Sequence, residues 1–361
     1  DAELSVSVQA SRSLDNRNVS VPVNDSFYSL DHPVVHFPGT PFVWQKKLRL
    51  INVKRRGDVL VVCGNITHLS NYWLIVRARA CGAGIIWWGH HRTAFSRSWK
   101  VRLRLLVTRL VSDVVLCYTD EGIRYLLANG FKPERVFATG NTINQVPIEE
   151  ACSFWTVERL NAFRKKQGLI GTKVIVFCSM LRRKTQLDVL IAAMSKDVLK
   201  RMNVRLVIIG DGEMRREYED MATRLGVISR VEWLGIIHDQ NAIAPWFLSA
   251  RAFVYPGAIG LSLLHAFSYG LPVITHGNAD HQMPEFEALI PNENGLVFNE
   301  GEPNDLASKI AYLLSSDVLF TRLSIGAKKA AQNYSMPRMI DRFKEAVVAC
   351  SRLKNQQGVN A

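Results

Sequence analysis

The sequence predicts an α/β protein built from two Rossmann-like domains, and three observations carry that expectation. The chain has 361 residues, 48% of them hydrophobic, with a mean hydropathy of +0.02. That is enough for two domains, each with its own core. From Lys173 to Thr275, apolar runs of four to six residues alternate with longer segments of helical period. Strands four to six residues long separated by helices of about ten or more imply a parallel sheet covered on both faces, whose crossovers are right-handed. The first half repeats this rhythm less regularly.

Taken in order, Leu4–Val8 is a weak strand candidate, and the rest of residues 1–45 reads as loop with turn residues. A domain of this type opens with a strand and a phosphate-approaching loop. Neither stands before Leu4, so the first domain is expected to lack its first strand–helix unit. Asp58–Cys63, Gly84–Trp88 and Asp113–Cys117 are strands with helical segments between them. The polar, basic stretch Asn161–Thr172 is the expected boundary, giving domains at 1–168 and 169–361. Lys173–Cys178 opens the second domain and is followed by a helix over Thr185–Ser195. Strand Val204–Ile209 ends in Gly210-Asp211-Gly212, before the charged helix Glu213–Leu225. Val231–Leu234, a helix near Asn241–Ser249, Ala252–Tyr255, a helix near Leu261–Tyr269 and Leu271–Thr275 complete the pattern. Met339, Phe343, Val347 and Cys350 form one stripe of a last helix over 336–354. That helix either packs back on the first domain or closes the second.

Thirteen prolines and 23 glycines exclude collagen-like and disordered chains. No run approaches the ~18–20 apolar residues of a membrane span. Six cysteines without a CxxC pair read as free, buried thiols in a reducing compartment. No secretory signal is visible at the first residue, which is Asp. Net charge is +13, which favours anionic partners: nucleic acid, phospholipid or phosphate-bearing substrates.

Tyr255-Pro-Gly-Ala-Ile-Gly-Leu-Ser262 joins a strand to a helix at the carboxy edge of the sheet. Gly257 and Gly260 there permit close approach of backbone to a ligand. The unpaired amides of Leu261, Ser262 and Leu263 would then suit a diphosphate. The alternative is a turn whose glycines serve packing alone. Arg183 and Lys184 follow the first strand of the same half and would face the same crevice, unless they form a solvated basic turn.

Together these segments resemble the donor-binding domain of the retaining nucleotide-sugar glycosyltransferases of family four, the group 1 transferases with a GT-B fold. Ser179–Lys184 looks like the family's phosphate-contact loop, and Leu206–Gly212 like its strand ending in Gly-Asp-Gly. Arg230–Gly235 looks like the strand leading to base contacts. Pro256–Gly270 with Leu271–Thr275 is similar to the signature helix and following strand. Pro284-Glu285 and Asn294–Phe298 continue the likeness. Tyr118–Glu121, Gly130–Val136 and Asn141–Asn144 look like its end-of-domain sequence.

The resemblance implies two Rossmann-like domains facing each other across a cleft, acceptor on the first and donor on the second. It implies a metal-independent transfer with retention from a UDP- or GDP-linked sugar to a hydroxyl, in polysaccharide or glycolipid synthesis on a lipid-linked acceptor. His90, after Trp87-Trp88-Gly89, is placed near the transferred sugar; Arg183 and Lys184 stabilise the leaving diphosphate. Ser179, Gly257, Ile259, Gly260, Leu261, Ser262, His265 and Glu285 are the expected donor contacts. No cofactor beyond the donor and no metal is implied, and there is no Asp-x-Asp. His276, Asp280, His281 and Glu285 are spaced irregularly, as hydrogen-bonding loop residues rather than ligands. The family places glutamates where Gly257 and His265 stand. His265 can still hydrogen-bond a ribose hydroxyl, whereas Gly257 offers backbone alone. This departure sustains an alternative: a catalytically degenerate subunit that binds a nucleotide sugar or a partner without turnover.

The positive excess is denser in the first half, where residues 1–150 hold 19 Lys and Arg against 12 Asp and Glu. Within Ser96–Leu110, Trp99, Leu103, Leu106 and Leu110 share a helical stripe flanked by arginines. Such a helix either lies on an anionic membrane or turns its leucines to the core. The expected location is cytoplasmic, peripheral on the inner membrane face. Nucleic acid is not expected as a partner, for want of zinc-finger spacing, an RRM signature or a basic tail.

Overall fold

The computed structural model describes residues 8–11, 27–30, 34–46, 53–89 and 98–359. Two compact units form, one from Asp1–Gly140 with Ile340–Ala361 and the other from Asn141–Met339.

In the first unit, β1 (Val8–Ser11) pairs in parallel with β2 (Phe27–Leu30), and β3 (Val34–His36) pairs antiparallel with β4 (Val43–Gln45). The main sheet is parallel, in the order β5 (Val59–Cys63), β6 (Gly84–Trp88), β7 (Val114–Cys117), β8 (Val136–Ala138). Helices α1 (Leu69–Ala80), α2 (Ser98–Val111) and α3 (Asp120–Ala128) connect these strands. Strand alternation sorts the core into two faces. Ile85 and Trp87 meet Ile75 and Ala78 of α1, while Val115 and Cys117 meet Leu126 of α3 and Leu105 of α2. Ile86, Val114 and Leu116 instead meet Ala346 and Cys350, with Phe343 and Val347 beside them. Gly84 opens β6 because a Cβ there would lie 2.6 Å from Cys350 Sγ. Asp113 ties the sheet to the same segment: Oδ2 accepts from the Ile85 amide at 2.9 Å, and Oδ1 pairs with Lys354 Nζ at 2.8 Å.

The second unit begins with α4 (Val146–Phe154) and α5 (Val157–Lys166), earlier than the boundary expected in residues 161–172. Side chains explain the difference. Trp155 Nε1 donates to Asn241 O at 2.8 Å, Arg164 donates to Leu248 O, and Phe163 packs edge-on against Trp246 at 4.9 Å. Its six parallel strands are β9 (Lys173–Cys178), β10 (Val204–Ile209), β11 (Val231–Gly235), β12 (Ala250–Tyr255), β13 (Val273–His276) and β14 (Gly295–Phe298). They lie in the order β11-β10-β9-β12-β13-β14. The chain therefore runs outward from β9 to β11, then restarts on the other side at β12. Loops after β9 and β12 diverge at this switch point and leave a crevice at the carboxy edge. Helices α6 (Leu187–Met194), α7 (Asp197–Arg201), α8 (Arg215–Arg224), α9 (Gln240–Ser249), α10 (Ser262–Ser268), α11 (Pro303–Leu314) and α12 (Asp317–Asn333) complete the unit.

The last helix, α13 (Met336–Val359), supplies Ala346 and Cys350 to the first unit's core. Three readings of the sequence meet the described residues as follows. The stripe of α2 faces out: Trp99, Leu103, Leu106 and Leu110 are all exposed, and Leu105 takes the core position. Cys63 is exposed, whereas Cys117 and Cys350 are buried. Leu4–Val8 lies outside the described residues but for Val8, which begins β1. Among the described residues, no single helix is long and apolar enough to cross a membrane.

Candidate functional site

The crevice is built on main-chain contacts between three loops. After β9, the Ser179 amide bonds Ile209 O at 3.0 Å and the Leu181 amide bonds Asp211 O at 2.9 Å. Gly210 stands at φ +135°, and a Cβ there would meet the Ser179 carbonyl carbon at 2.9 Å. A glycine is therefore obligatory for the Gly-Asp-Gly turn to hold the 179–181 loop. Asp211 is pinned in turn by the Gly212 amide at 2.7 Å and by Arg215 at 3.1 Å. This motif supports the site and does not line it.

At the switch point lies a groove of about 280 Å³. Cys178 comes from the end of β9, and Leu261, Ser262 and His265 from the start of α10. Ile143, Asn144 and Ile148 precede or belong to α4, and Gln240 opens α9. His265 is wedged edge-on between Phe247 at 4.9 Å and Tyr269 at 5.4 Å. Burial pushes its pKa down to about 4, so the ring is neutral near pH 7. Its Nε2 lies 3.0 Å from Gln240 Oε1, which also accepts from Tyr269 OH at 2.9 Å. Nε2 thus carries the proton, and Nδ1 is left as an acceptor. Burial also pushes the Cys178 thiol up to about 12, so it lines the groove as an inert apolar group.

The residues singled out in the sequence divide into those the fold gathers here and those it does not. Leu261, Ser262 and His265 line the groove. Gly260 adjoins them, and the amides of Gly260, Leu261 and Ser262 have no partner among the described residues. Ile259 differs, because its amide donates to Gln282 Oε1 at 2.7 Å and is taken. Ser179 Oγ lies 3.3 Å from Tyr255 OH, away from the groove lining. Arg183 and Lys184 form a short turn with exposed side chains that do not line the groove.

Gly257 has no room for a side chain. A Cβ there would stand 2.9 Å from Thr185 Cα, 2.8 Å from the Thr185 carbonyl carbon, and closer still to Lys184 O. The Arg183–Thr185 turn fills the place of its side chain. Glu285 is buried, and its Oε1 accepts from Asn141 Nδ2 at 2.6 Å. His276 is fully buried, with Nδ1 accepting from the Asn278 amide at 3.3 Å. His281 pairs with Glu300 at 2.8 Å. His90 lies outside the described residues.

Gln240, Cys178 and Asn144 were not anticipated. Gln240 opens a helix in another βα unit, and its tie to His265 exists only once both helices pack. A larger groove of about 670 Å³ shares Asn144 and Gln240 with the first.

Residues 172–316 match the family model described as glycosyl transferases group 1. An uncharacterized glycosyltransferase of Methanocaldococcus jannaschii is 35% identical over 121 residues, 32% of this chain and 30% of that protein. The alpha-monoglucosyldiacylglycerol synthase of Streptococcus pneumoniae is 29% identical over 218 residues, 58% of this chain and 46% of that one. This chain thus spans less than half the length of either relative. Among solved structures, Anabaena HepE in complex with UDP has a TM-score of 0.60 at 15% identity, covering 84% of this chain and 79% of its own. A glycosyltransferase from Rickettsia africae has a TM-score of 0.64 at 16% identity, covering 81% and 76%. The chain has the GT-B fold, and its residues 172–316 match the model of the group 1 glycosyltransferases.

Proposed function

We propose that the protein is a glycosyltransferase whose second unit binds a nucleoside-diphosphate sugar. The first unit would receive a hydroxyl acceptor of a glycolipid or polysaccharide. One observation carries the reading: a neutral groove at the switch point of a parallel sheet, bordered by free amides at the start of α10. The nucleoside would lie in the groove, with a ribose hydroxyl donating to His265 Nδ1. The diphosphate would lie along Gly260–Ser262, within reach of Arg183 and Lys184. Two flexible cations draw off the negative charge that builds as the sugar–phosphate bond breaks. Transfer with retention, without a metal, accords with the family resemblance. In that course the acceptor hydroxyl attacks the oxocarbenium-like carbon from the face the diphosphate leaves.

Calorimetry and a transfer assay against a panel of UDP- and GDP-sugars test this directly. Lys184→Ala is expected to lower kcat/KM about tenfold or more, the effect of losing one charge-assisted contact. Undiminished transfer would remove Lys184 from the phosphate site.

A second reading is a subunit that binds without turnover. None of the eight residues lining the groove is a carboxylate, Lys or Arg, and position 257 is closed to any side chain. Tight nucleotide-sugar binding with no product across many acceptors would decide for it.

The outward stripe of α2 favours attachment to an anionic membrane. Trp99, Leu103, Leu106 and Leu110 are exposed, and Trp73 and Val76 of α1 are exposed as well. Neither helix contains an acidic residue, while Arg77, Arg79, Lys100, Arg102, Arg104 and Arg109 lie on them. Arg79 donates to Leu110 O at 2.8 Å, which joins the two helices at one end. Apolar insertion with flanking cations suits lipid headgroups. Sedimentation with phosphatidylglycerol-containing vesicles should fall several-fold for Leu103→Ser/Leu106→Ser and with added salt. Equal binding to neutral vesicles would exclude the charge-dependent attachment.

A further inference from the structure

We propose that Gln240 is a specificity residue of the groove: its amide nitrogen and His265 Nδ1 together read the vicinal diol of the ribose. The inference rests on the nucleotide-sugar reading above. Gln240 is the first residue of α9, so it enters the groove from a different βα unit than the α10 residues it meets there.

The two polar atoms of its amide have opposite surroundings. Oε1 accepts from Tyr269 OH at 2.9 Å and faces His265 Nε2 at 3.0 Å, which occupies both of its lone pairs. Nε2 has no hydrogen-bond partner among the described residues, and it is not one of the polar atoms shut away from solvent. His265 is arranged in the same way. Its Nε2 is occupied by Gln240, while Nδ1 has no partner and, unlike His276 Nε2, is open to solvent. Both residues line the groove. The groove therefore presents one acceptor, Nδ1, beside one donor group, the Gln240 Nε2 hydrogens, with a hydrogen bond fixing the two side chains to each other.

An acceptor beside a donor fits two neighbouring hydroxyls. One hydroxyl donates to Nδ1, and the next accepts from Gln240 Nε2. A carboxylate in this place only accepts, and takes a proton from each hydroxyl it binds. The pair here is neutral, since burial keeps the imidazole uncharged near pH 7 and no charged side chain lines the groove. Recognition then depends on the direction of each hydrogen bond, not on charge. Phe247 and Tyr269 hold the ring by its edges, and Gln240 Oε1 decides which ring nitrogen is left for the ligand. Gln240 thus positions His265 and touches the ligand itself. In a nucleoside diphosphate the ribose carries such a diol, and it adjoins a diphosphate lying along Gly260–Ser262.

Calorimetry on the full-length chain with UDP, GDP and their 2′-deoxy and 3′-deoxy forms is the measurement. The natural protein is expected to bind its preferred ribonucleotide about tenfold more tightly than either deoxy form, the equivalent of one hydrogen bond for each hydroxyl. His265→Phe keeps an aromatic ring between Phe247 and Tyr269 but removes the acceptor. One of the two preferences should then collapse to about twofold or less, and the other persist. Gln240→Leu removes the donor and releases the ring, so both preferences should collapse. Asp239 still caps α9 in that variant, so the helix keeps its start. NMR of the His265 ring nitrogens in the natural protein should show the proton on Nε2.

Equal binding of ribonucleotide and deoxynucleotides by the natural protein overturns the proposal and leaves the nucleotide reading standing. A Gln240→Leu variant that keeps both preferences also overturns it. So does one that weakens all the nucleotides alike with the preferences intact, which marks a merely structural residue. A proton on Nδ1 of the unliganded ring overturns it as well. Failure of the natural protein to bind any of these nucleotides refutes both readings.

Discussion

Gly257→Glu is expected to destabilise the second unit and weaken nucleotide binding, not to furnish a catalytic carboxylate. The site of its Cβ is occupied by main-chain atoms of Lys184 and Thr185, which cannot rotate away as a side chain can. Thr185 is itself buried and tied to Arg182 O at 2.6 Å, so the turn has little room to withdraw. Overpacking of this kind costs about 3 kcal/mol or more. For a domain of this size each kcal/mol lowers Tm by roughly 2–4 °C. The turn that must shift carries Arg183 and Lys184, so affinity for a nucleoside diphosphate should fall with stability. Scanning calorimetry with nucleotide titration checks both. A variant with the natural Tm and improved turnover would show that the turn yields and that a carboxylate at 257 is usable. Gly260→Ala, three residues away, is the matched control, since its methyl meets nothing under 3.7 Å.

Asp113→Ala should cost the first unit about 3 kcal/mol. The carboxylate is nearly buried and serves two partners, the Ile85 amide on one oxygen and Lys354 on the other. Its loss leaves a buried N–H without its acceptor and the ammonium without this partner. Asp113→Asn retains an acceptor for Ile85 and should cost less. Lys354→Met, which leaves an apolar stem, should cost least. Denaturant unfolding followed by Trp88 fluorescence is a suitable readout, because Trp88 packs against Phe343 at 5.6 Å. A change under 0.5 kcal/mol in Asp113→Ala, the scale of an ordinary surface substitution, would mean that the pairing does not anchor residues 340–359.

The legible parts of the fold were those whose burial is complete on both sides. Strands β9, β10, β12 and β6 stand out as mainly apolar runs with at most one charged residue, at or next to the start, since a central parallel strand has little solvent face. Strand β8, three residues long, and β14, which opens with a glycine, carry too little pattern to register. The unit boundary was obscured for another reason. Helix α5 is polar with a basic last turn, and Trp155, Phe163 and Arg164 fasten this stretch to α9.

By itself, the sequence determined the α/β class, the strand–helix alternation, the loops that meet at the switch point and the resemblance to group 1 glycosyltransferases. These follow from periodicity and local chemistry, which are properties of neighbouring residues. Only the tertiary structure decided that α2 turns its leucines outward, that the Lys184–Thr185 main chain closes position 257 to a side chain, and that Ile259 has spent its amide on Gln282. It also decided that Gln240 fixes the tautomer of His265 and that Glu285 buries one oxygen without a partner. Each of these depends on atoms brought together from distant parts of the chain. A glycine that admits a ligand and one that admits a backbone turn look alike until the neighbouring loop is in place.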